Sequence, residues 1–249
     1  MSNLFFQLPF AVPNSALPVI PSGDIEPLTP YEIGADDHWI FGDSAASLTG
    51  QVSGRQLTAF GDAPSFSSNY LTIPGGSGQG LESGIEEIAT QADTICAVLR
   101  VTPNSVTQPL FGGLADGTAN HGGGPFLDSV ESKIWLTYRG TTISSTDTGD
   151  APVPGQWFFL AVSRDFTSGI KSARSLMGGS YVFETAGTGT YSPTVAPRSI
   201  ALGNPYLSAN NAPLDCAEFI VLPRSMDDGE LQALYARRQA VMAARGIAI

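Results

Sequence analysis

The chain has 249 residues, of which 14% are charged, with 28 glycines and 18 prolines, a composition that predicts a folded, turn-rich chain rather than a disordered one. This length suits one large β-domain, with two smaller domains as the alternative. The net charge of −11 and the scattered basic residues argue against a nucleic-acid partner, because phosphate binding needs clustered Lys and Arg.

Residues 1–35 form a segment rich in proline and apolar side chains. The segment has no basic start and its apolar run is broken by prolines, so we expect neither a signal peptide nor a membrane-spanning helix. Membrane insertion is not expected further along the chain either. Proline at this density disfavours helix and central strand, so residues 1–35 should form an extended arm. The arm would dock on its own domain, on a neighbouring subunit or on a larger assembly.

From residue 36 to 249 the pattern predicts one domain of short strands separated by turns. The strand-like runs are HWIF, RQLTAF, NYLTIP, TICAVLRV, KIWLTYR and QWFFLAVSR. The turns between them include PGGSGQG, DGTANHGGGP, TDTGDAPVPG and AGTGTYSP, where glycine and proline favour bends. Trp39, Trp135 and Trp157 lie in the strand-like runs, so we expect them in the core.

The two cysteines, Cys96 and Cys216, lie in apolar strand-like runs, where a free cysteine behaves as a small core residue. A disulfide between them is the alternative, although the chain has no framework of several cysteines. Zinc is not expected, because two isolated cysteines do not form a ligand cluster.

The end of the chain predicts a strand, AEFIVLP, followed by the one convincing helix of the sequence. Ser225 and Asp228 resemble a capping box at the start of that helix. Arg237, Arg238 and Arg245 lie toward its C-terminal end, where they complement the helix dipole. We expect the helix to lie against the outside of a sheet through one apolar face, made of Leu231, Leu234, Tyr235, Val241 and Met242.

Four motifs occur in the order of a known family: NYLTIP, QWFFLAVSRD, SIALGN and AEFIVLPRSMDDGELQALYARR. Through them the chain resembles the concanavalin A-like jelly rolls, in particular the laminin G-like and pentraxin-like lectin domains, over residues 37 to 246. The resemblance implies an all-β fold, an antiparallel two-sheet jelly-roll sandwich with one short C-terminal helix. It also implies carbohydrate binding, and in some members calcium, at the sheet rim.

A chain of this family with a proline-rich arm and no signal peptide is similar to virion proteins of tailed phages, such as fibres, spikes and receptor-binding proteins. That similarity implies a virion module made in the host cytoplasm. Its partners would be host surface polysaccharide and, through the arm, other virion proteins. A closed homo-oligomer, with a trimer favoured, would bury the arm and multiply weak sugar contacts.

The catalytic motifs of related sandwich enzymes are absent from the sequence. Glucanase relatives carry Glu-x-Asp-x-x-Glu, and no glutamate here has an aspartate two positions later. Alginate-lyase relatives use Gln-x-His, which neither His38 nor His121 fits. Glu86 and Glu87 are adjacent and would point to opposite faces of a strand, so we expect a solvated pair. The sequence therefore favours a protein that is not an enzyme.

The loop LADGTANHGGGPFLDS carries one set of candidate binding residues. Asp116, Asn120 and Asp128 offer carboxylate and amide oxygens of the kind that calcium prefers, and Asn120 and His121 are candidates for ligand contacts. A surface turn rich in Asp and Asn is the alternative. No cofactor is expected apart from this calcium ion.

A second loop, GNPYLSANNAPLD, places Tyr206 near Asn210 and Asn211. Sugar sites combine an aromatic platform with amides, and this loop has both. A turn held by a buried tyrosine is the alternative. The sequence thus predicts a non-enzymatic, carbohydrate-recognising virion module. The alternatives are a purely structural decoration or connector protein, and a glycan depolymerase that uses Asp116 and Asp128.

Overall fold

The computed structural model describes residues 30–87, 92–102, 107–113, 123–129, 132–139, 143–149, 151–165, 170–188, 199–206 and 212–249. Within these residues the chain forms sixteen strands, one 3-10 helix (Ala45–Leu48) and one α-helix, α1 (Asp228–Ala244). In chain order the strands are β1 (Asp37–Ile40), β2 (Thr58–Phe60), β3 (Ser65–Phe66), β4 (Leu71–Ile73), β5 (Gln79–Glu86), β6 (Asp93–Val101), β7 (Gln108–Pro109), β8 (Phe111–Gly112), β9 (Gly123–Leu127), β10 (Ile134–Arg139), β11 (Ile143–Asp147), β12 (Trp157–Asp165), β13 (Ile170–Met177), β14 (Ser180–Thr188), β15 (Ser199–Asn204) and β16 (Leu214–Leu222).

The first layer is an eight-stranded sheet in the order β14, β13, β12, β6, β16, β4 and β3, with β1 also paired to β16. The second layer consists of two four-stranded sheets, ordered β11, β10, β9, β7 and β2, β5, β15, β8. Every strand pair is antiparallel. The predicted all-β antiparallel sandwich with a C-terminal helix is confirmed.

Glycines allow the two halves of the second layer to meet. A Cβ on Gly112 would lie 2.3 Å from the Gly123 carbonyl oxygen, and one on Gly124 would lie 2.1 Å from the Phe111 carbonyl oxygen. Only glycine permits backbones to approach this closely. The sequence prediction that DGTANHGGGP is entirely a turn is therefore wrong at its end, because Gly123, Gly124 and Pro125 begin β9.

The main core lies between the two layers, and strand alternation decides which side chains enter it. In β6, Ile95, Ala97 and Leu99 face this core, whereas Cys96 and Val98 face the opposite side of the sheet. Cys216 belongs to the core between the layers. Cys96 and Cys216 therefore lie on opposite faces of one sheet, and both are buried free thiols, which rules out the disulfide alternative.

Helix α1 covers the outer face of the first layer. Leu231, Leu234 and Met242 are buried there against Phe159 and Ile220 of the sheet. This packing confirms the predicted apolar face. Among the described residues, no helix combines the length and apolar character needed to cross a bilayer.

The helix begins with a capping box two residues later than predicted. The Asp227 carboxylate accepts the Glu230 N–H at 2.9 Å, and the Glu230 carboxylate accepts the Asp227 N–H at 3.0 Å. Ser225 and Asp228 were expected in these roles. Asp227 is the N-cap because its backbone is extended just before the first helical residue. Glu230, three positions later, has a side chain long enough to reach back to the Asp227 N–H.

The three tryptophans differ in burial, and Trp157 packs against the core beneath α1. Trp39 is fully buried and stacks on Phe219 at 5.5 Å between ring centroids, as expected. Trp135 and Trp157 are only half-buried, because their strand positions place them on outward faces of the two layers. Residues 30–35, the described part of the predicted arm, pack on the domain, since Ala35 joins the core beneath α1.

The Asp37 side chain organises the loop that follows β1. Its buried carboxylate accepts hydrogen bonds from four backbone N–H groups and one hydroxyl, those of His38, Val52, Ser53 and Arg55. Burial by itself would raise the pKa of Asp37, but these hydrogen bonds outweigh it and hold the pKa below its usual value. The ionised form of Asp37 therefore stabilises the fold.

Replacing Asp37 with asparagine is expected to lower the free energy of unfolding by about 1–3 kcal/mol at pH 7. Because the pKa of Asp37 is lowered by folding, its contribution is complete above the unfolded value of about 4 and is lost as pH falls through the folded value. Urea unfolding at pH 7 and pH 3 should show the deficit shrinking at pH 3. The exposed Asp62→Asn is the control, and a deficit independent of pH would contradict this role for the carboxylate.

Candidate functional site

Five of the seven predicted site residues lie outside the described residues: Asp116, Asn120, His121, Asn210 and Asn211. Their proposed roles stay predictions. The other two, Asp128 and Tyr206, are described. They lie in different halves of the second layer, since Asp128 follows β9 and Tyr206 follows β15.

Asp128 lies in a turn between β9 and β10, where its backbone N–H donates to the Lys133 carbonyl oxygen at 2.8 Å. Its side chain is half-buried. Within the described part of the chain, no three His, Cys, Asp or Glu side chains gather closely enough to hold a metal ion. The predicted calcium ligands Asp116 and Asn120 are outside that part, so the calcium site remains a prediction.

Tyr206 is held in place by its hydroxyl. The O–H group donates to the Ser199 carbonyl oxygen at 2.9 Å, and the ring is half-buried. This bond matches the alternative expected from the sequence, a turn held by a tyrosine. The ring also takes part in an aromatic pair, since Phe60 meets it edge to face with 6.4 Å between centroids. A fixed tyrosine can still offer its exposed part to a ligand.

Phe60 was not predicted as a site residue. Among the described residues, four large hydrophobic side chains are exposed, and Phe60, at 45% exposure, is the aromatic one. Its ring lies over Gly78, where an added Cβ would be 3.5 Å from the ring. Gln79 follows Gly78 in sequence, and its carboxamide accepts the N–H of Asp62, two residues after Phe60, at 2.7 Å. We call Phe60, Gln79 and Tyr206 the aromatic rim.

A second group of side chains lies on the outer face of the first layer, where its two aromatic residues pack against the core beneath α1. It consists of Tyr70, Thr72, Arg100, Trp157 and Asp215, all half-buried, and we call it the outer-face cluster. The guanidinium carbon of Arg100 lies 4.8 Å from the Tyr70 ring centroid and 4.6 Å from the Trp157 ring centroid. The two rings meet edge to face at 5.4 Å.

An ion pair completes the outer-face cluster. Arg100 donates from Nε and Nη2 to Asp215 Oδ2 at 2.9 and 2.7 Å. The other carboxylate oxygen of Asp215 accepts the Thr72 hydroxyl at 2.5 Å. Strand alternation could have predicted part of this site, because Arg100 lies on the same face of β6 as Cys96 and Val98. The other members come from three further strand segments, and no sequence motif joins the four.

The third group is a buried ion cluster between the layers. Arg164 of β12 is 1% exposed, binds the Asp93 carboxylate at 2.6 Å through Nε, and pairs through Nη1 with Glu87. The expectation of a solvated Glu86 and Glu87 pair is therefore wrong for Glu87, which points inward from the end of β5. Burial raises the pKa of Glu87, and the Arg164 charge opposes this rise.

The buried ion cluster also holds Gly123, which in turn is bonded to Gly113. Gly123 donates its N–H to the Glu87 carboxylate at 3.2 Å and accepts from Arg164 Nη1 at 3.2 Å. The Gly113 N–H donates to the same Gly123 carbonyl oxygen at 3.2 Å. The sequence between them contains three of the predicted site residues. Arg164 and Glu87 thus join the two layers inside the sandwich.

No protein-family model matches the sequence, and no curated protein matches it. Solved structures similar in fold include the receptor-binding domain of botulinum neurotoxin D, with 11% identity and a TM-score of 0.58 over 82% of this chain and 52% of that chain. Trypanosoma rangeli sialidase in complex with sialic acid has 14% identity and a TM-score of 0.64 over 90% of this chain and 36% of that chain.

Domain 4 of an extracellular GH43 arabinanase from Geobacillus stearothermophilus, in complex with arabinotriose, has 14% identity and a TM-score of 0.62. That match covers 80% of this chain and 97% of the arabinanase domain. By contrast, the chain spans about half of the neurotoxin domain and about a third of the sialidase. At these identities the comparisons establish the fold, a β-sandwich shared with all three proteins.

Proposed function

We propose that the chain is a non-enzymatic module that binds carbohydrate at the aromatic rim. The observation that carries the proposal is the exposed Phe60 ring, which lies over Gly78 and against Tyr206, with the Gln79 carboxamide bonded to Asp62 two residues further along the chain. An aromatic face and a neighbouring amide are the groups that bind the apolar and hydroxyl faces of a sugar ring. The predicted amides Asn210 and Asn211 follow Tyr206 in sequence.

The fold supports this proposal by analogy. Two proteins with similar structures are a sialidase in complex with sialic acid and an arabinanase domain in complex with arabinotriose. A binding domain of botulinum neurotoxin is a third. Because one fold hosts many functions, the likeness favours sugar binding without identifying the sugar.

The wider assembly is part of the same proposal. The module belongs to a phage virion, where the part of the N-terminal arm that precedes residue 30 binds other virion proteins and a homo-oligomer, with a trimer favoured, presents several sites to host polysaccharide. An oligomer multiplies weak individual affinities through effective concentration. Light scattering of the full chain at micromolar concentration tests this part, and a monomer would count against it.

The Phe60→Ala variant is expected to bind its glycan about fivefold more weakly than the wild type, because an aromatic contact is worth about 1 kcal/mol. The measurement is a glycan array with the full chain, run in calcium and again in EDTA. Ile33→Ala, at another exposed apolar position, is the matched control and should leave binding unchanged.

Each outcome of the array bears on a different part of the proposal. A hit weakened by Phe60→Ala supports the aromatic rim, and sensitivity of that hit to EDTA supports the predicted calcium loop. A folded wild-type chain that binds no glycan would overturn the proposal in favour of the purely structural alternative. Release of reducing ends or unsaturated products from host capsule would instead indicate a depolymerase.

A further inference from the structure

We propose that the outer-face cluster is a second sugar site, separate from the aromatic rim, and that it takes neutral rather than acidic sugars. The inference rests on the proposed carbohydrate binding but uses different residues on the other layer of the sandwich. Tyr70, Arg100 and Trp157 lie on the sheet that carries α1, whereas Phe60 and Tyr206 lie on the second layer.

The cluster combines the two kinds of contact that a sugar ring needs. Trp157 and Tyr70 are only half-buried, so the parts of the two rings that Arg100 and the core beneath α1 leave uncovered present aromatic surface. Beside them, the half-buried Arg100 and Asp215 supply N–H donors and carboxylate acceptors along one edge. Two adjacent sugar hydroxyls can therefore donate to the carboxylate and accept from the guanidinium while the sugar ring contacts the part of the indole that Arg100 leaves uncovered.

The polar groups are already fixed before any ligand arrives. The Arg100 guanidinium stacks on two rings and bonds Asp215 through two nitrogens, and Asp215 is bonded in turn by Thr72. Arginine and aromatic side chains held in this way lose little conformational entropy on binding. A solvent-exposed ion pair of ordinary surface type would not have these supports.

Charge selects the class of sugar. Arg100 and Asp215 cancel each other, so the cluster offers no net positive charge to a carboxylate or sulfate. The chain as a whole carries −11, which repels anionic ligands at long range. A neutral hexose or pentose unit fits both facts, and an acidic sugar fits neither.

The test compares the full-length wild type with Arg100→Gln, Phe60→Ala and the double variant on an array of neutral and acidic glycans. Arg100→Gln removes the guanidinium charge but keeps a polar side chain of similar length. We expect Phe60→Ala to retain part of the binding to neutral glycans and the double variant to lose the remainder, at least tenfold. Equal melting temperatures of Arg100→Gln and the wild type ensure that the loss is not unfolding.

Asp215→Asn provides a second readout that a packing role would not change. It keeps the shape of the side chain but leaves the Arg100 charge uncompensated, so binding of acidic glycans relative to neutral ones is expected to rise. If Arg100→Gln binds as the wild type does in both backgrounds, or if every hit is an acidic glycan, the second site is overturned and the aromatic rim is unaffected. A wild type that binds no glycan would overturn both.

Discussion

Replacing Arg164 with methionine is expected to lower the free energy of unfolding by about 3–5 kcal/mol, the cost of leaving a buried charge without its partner. Arg164 links Asp93 of the first layer to Glu87 and the Gly123 carbonyl oxygen of the second layer. Methionine fills a similar volume but neutralises neither carboxylate. Urea unfolding of the full chain at pH 7 measures the loss.

The control for this variant is Arg224→Met. Arg224 also forms an arginine–glutamate pair, with Glu230 at 2.7 Å, but it is 50% exposed. Solvent screens such a pair, so the control should lose less than about 1 kcal/mol. Equal losses in the two variants would show that burial of Arg164 does not matter.

The pH dependence distinguishes a lost counter-charge from lost packing. Burial already raises the pKa of Glu87, and removal of Arg164 removes the charge that opposes this rise. A protonated Glu87 needs no counter-charge, so the deficit of Arg164→Met should shrink as pH falls below neutrality. The double variant Glu87→Gln with Arg164→Met should regain part of the stability at pH 7 for the same reason. A deficit that stays constant with pH and in the double variant would indicate a packing defect.

Three of the strands that the sequence predicted have packing that requires continuous apolar residues. β6, β12 and β16 are buried on both faces, between the second layer on one side and α1 on the other, so their runs TICAVLRV, QWFFLAVSR and AEFIVL are nearly unbroken. Helix α1 was predictable because its apolar spacing and its acidic start are local signals.

Strands with glycine or polar sequences were missed. β5 contains Gly80 and Gly84, and β13 (IKSARSLM) is polar at half of its 8 positions. These segments become strands because neighbours pair with them, β15 with β5 and β12 with β13. Pairing between distant segments overrides weak local preference, which a local pattern cannot reveal.

The candidate sites show the same limit. Tyr206 could be predicted from its own loop, but its partner Phe60 is 146 residues away in sequence and becomes a neighbour only when β2 and β15 both pair with β5. Arg164 and Glu87 are 77 residues apart. Side chains that meet across layers have no common motif, so their chemistry emerges from the topology.

A second buried ion network lies between α1 and the first layer, at a place where the sequence suggested only a favourable helix dipole. Arg238 is in the middle of the apolar face of α1 and is 2% exposed. Its guanidinium pairs with Glu218 at 3.0 Å and with Glu32 at 3.0 Å. Glu218 also accepts from His38, whose other ring nitrogen accepts the Glu32 N–H at 2.8 Å.

This network fastens the start of the described chain to its end. The Pro30 carbonyl oxygen accepts a hydrogen bond from Arg238 at 2.8 Å, and Glu32 binds Arg237 as well as Arg238. Within the described residues, Glu218 Oε2 and Arg238 Nε are buried without a hydrogen-bond partner. Two atoms of the network thus already have no hydrogen-bond partner. Removal of a further member would leave more buried polar atoms unpaired, so it should lower the free energy of unfolding.

Arg238→Met is accordingly expected to lower the free energy of unfolding by about 3–5 kcal/mol, because it leaves the fully buried Glu218 carboxylate without its cation. Its neighbour offers a matched control, since Arg237 also pairs with Glu32 but is 47% exposed, and Arg237→Met should cost less than about 1 kcal/mol. Proteolysis of the folded chain gives an independent measure: cleavage near residue 30 should accelerate in Arg238→Met and not in Arg237→Met. Similar stability losses in both variants would mean that the helix surface, rather than the buried network, holds this segment against the sheet.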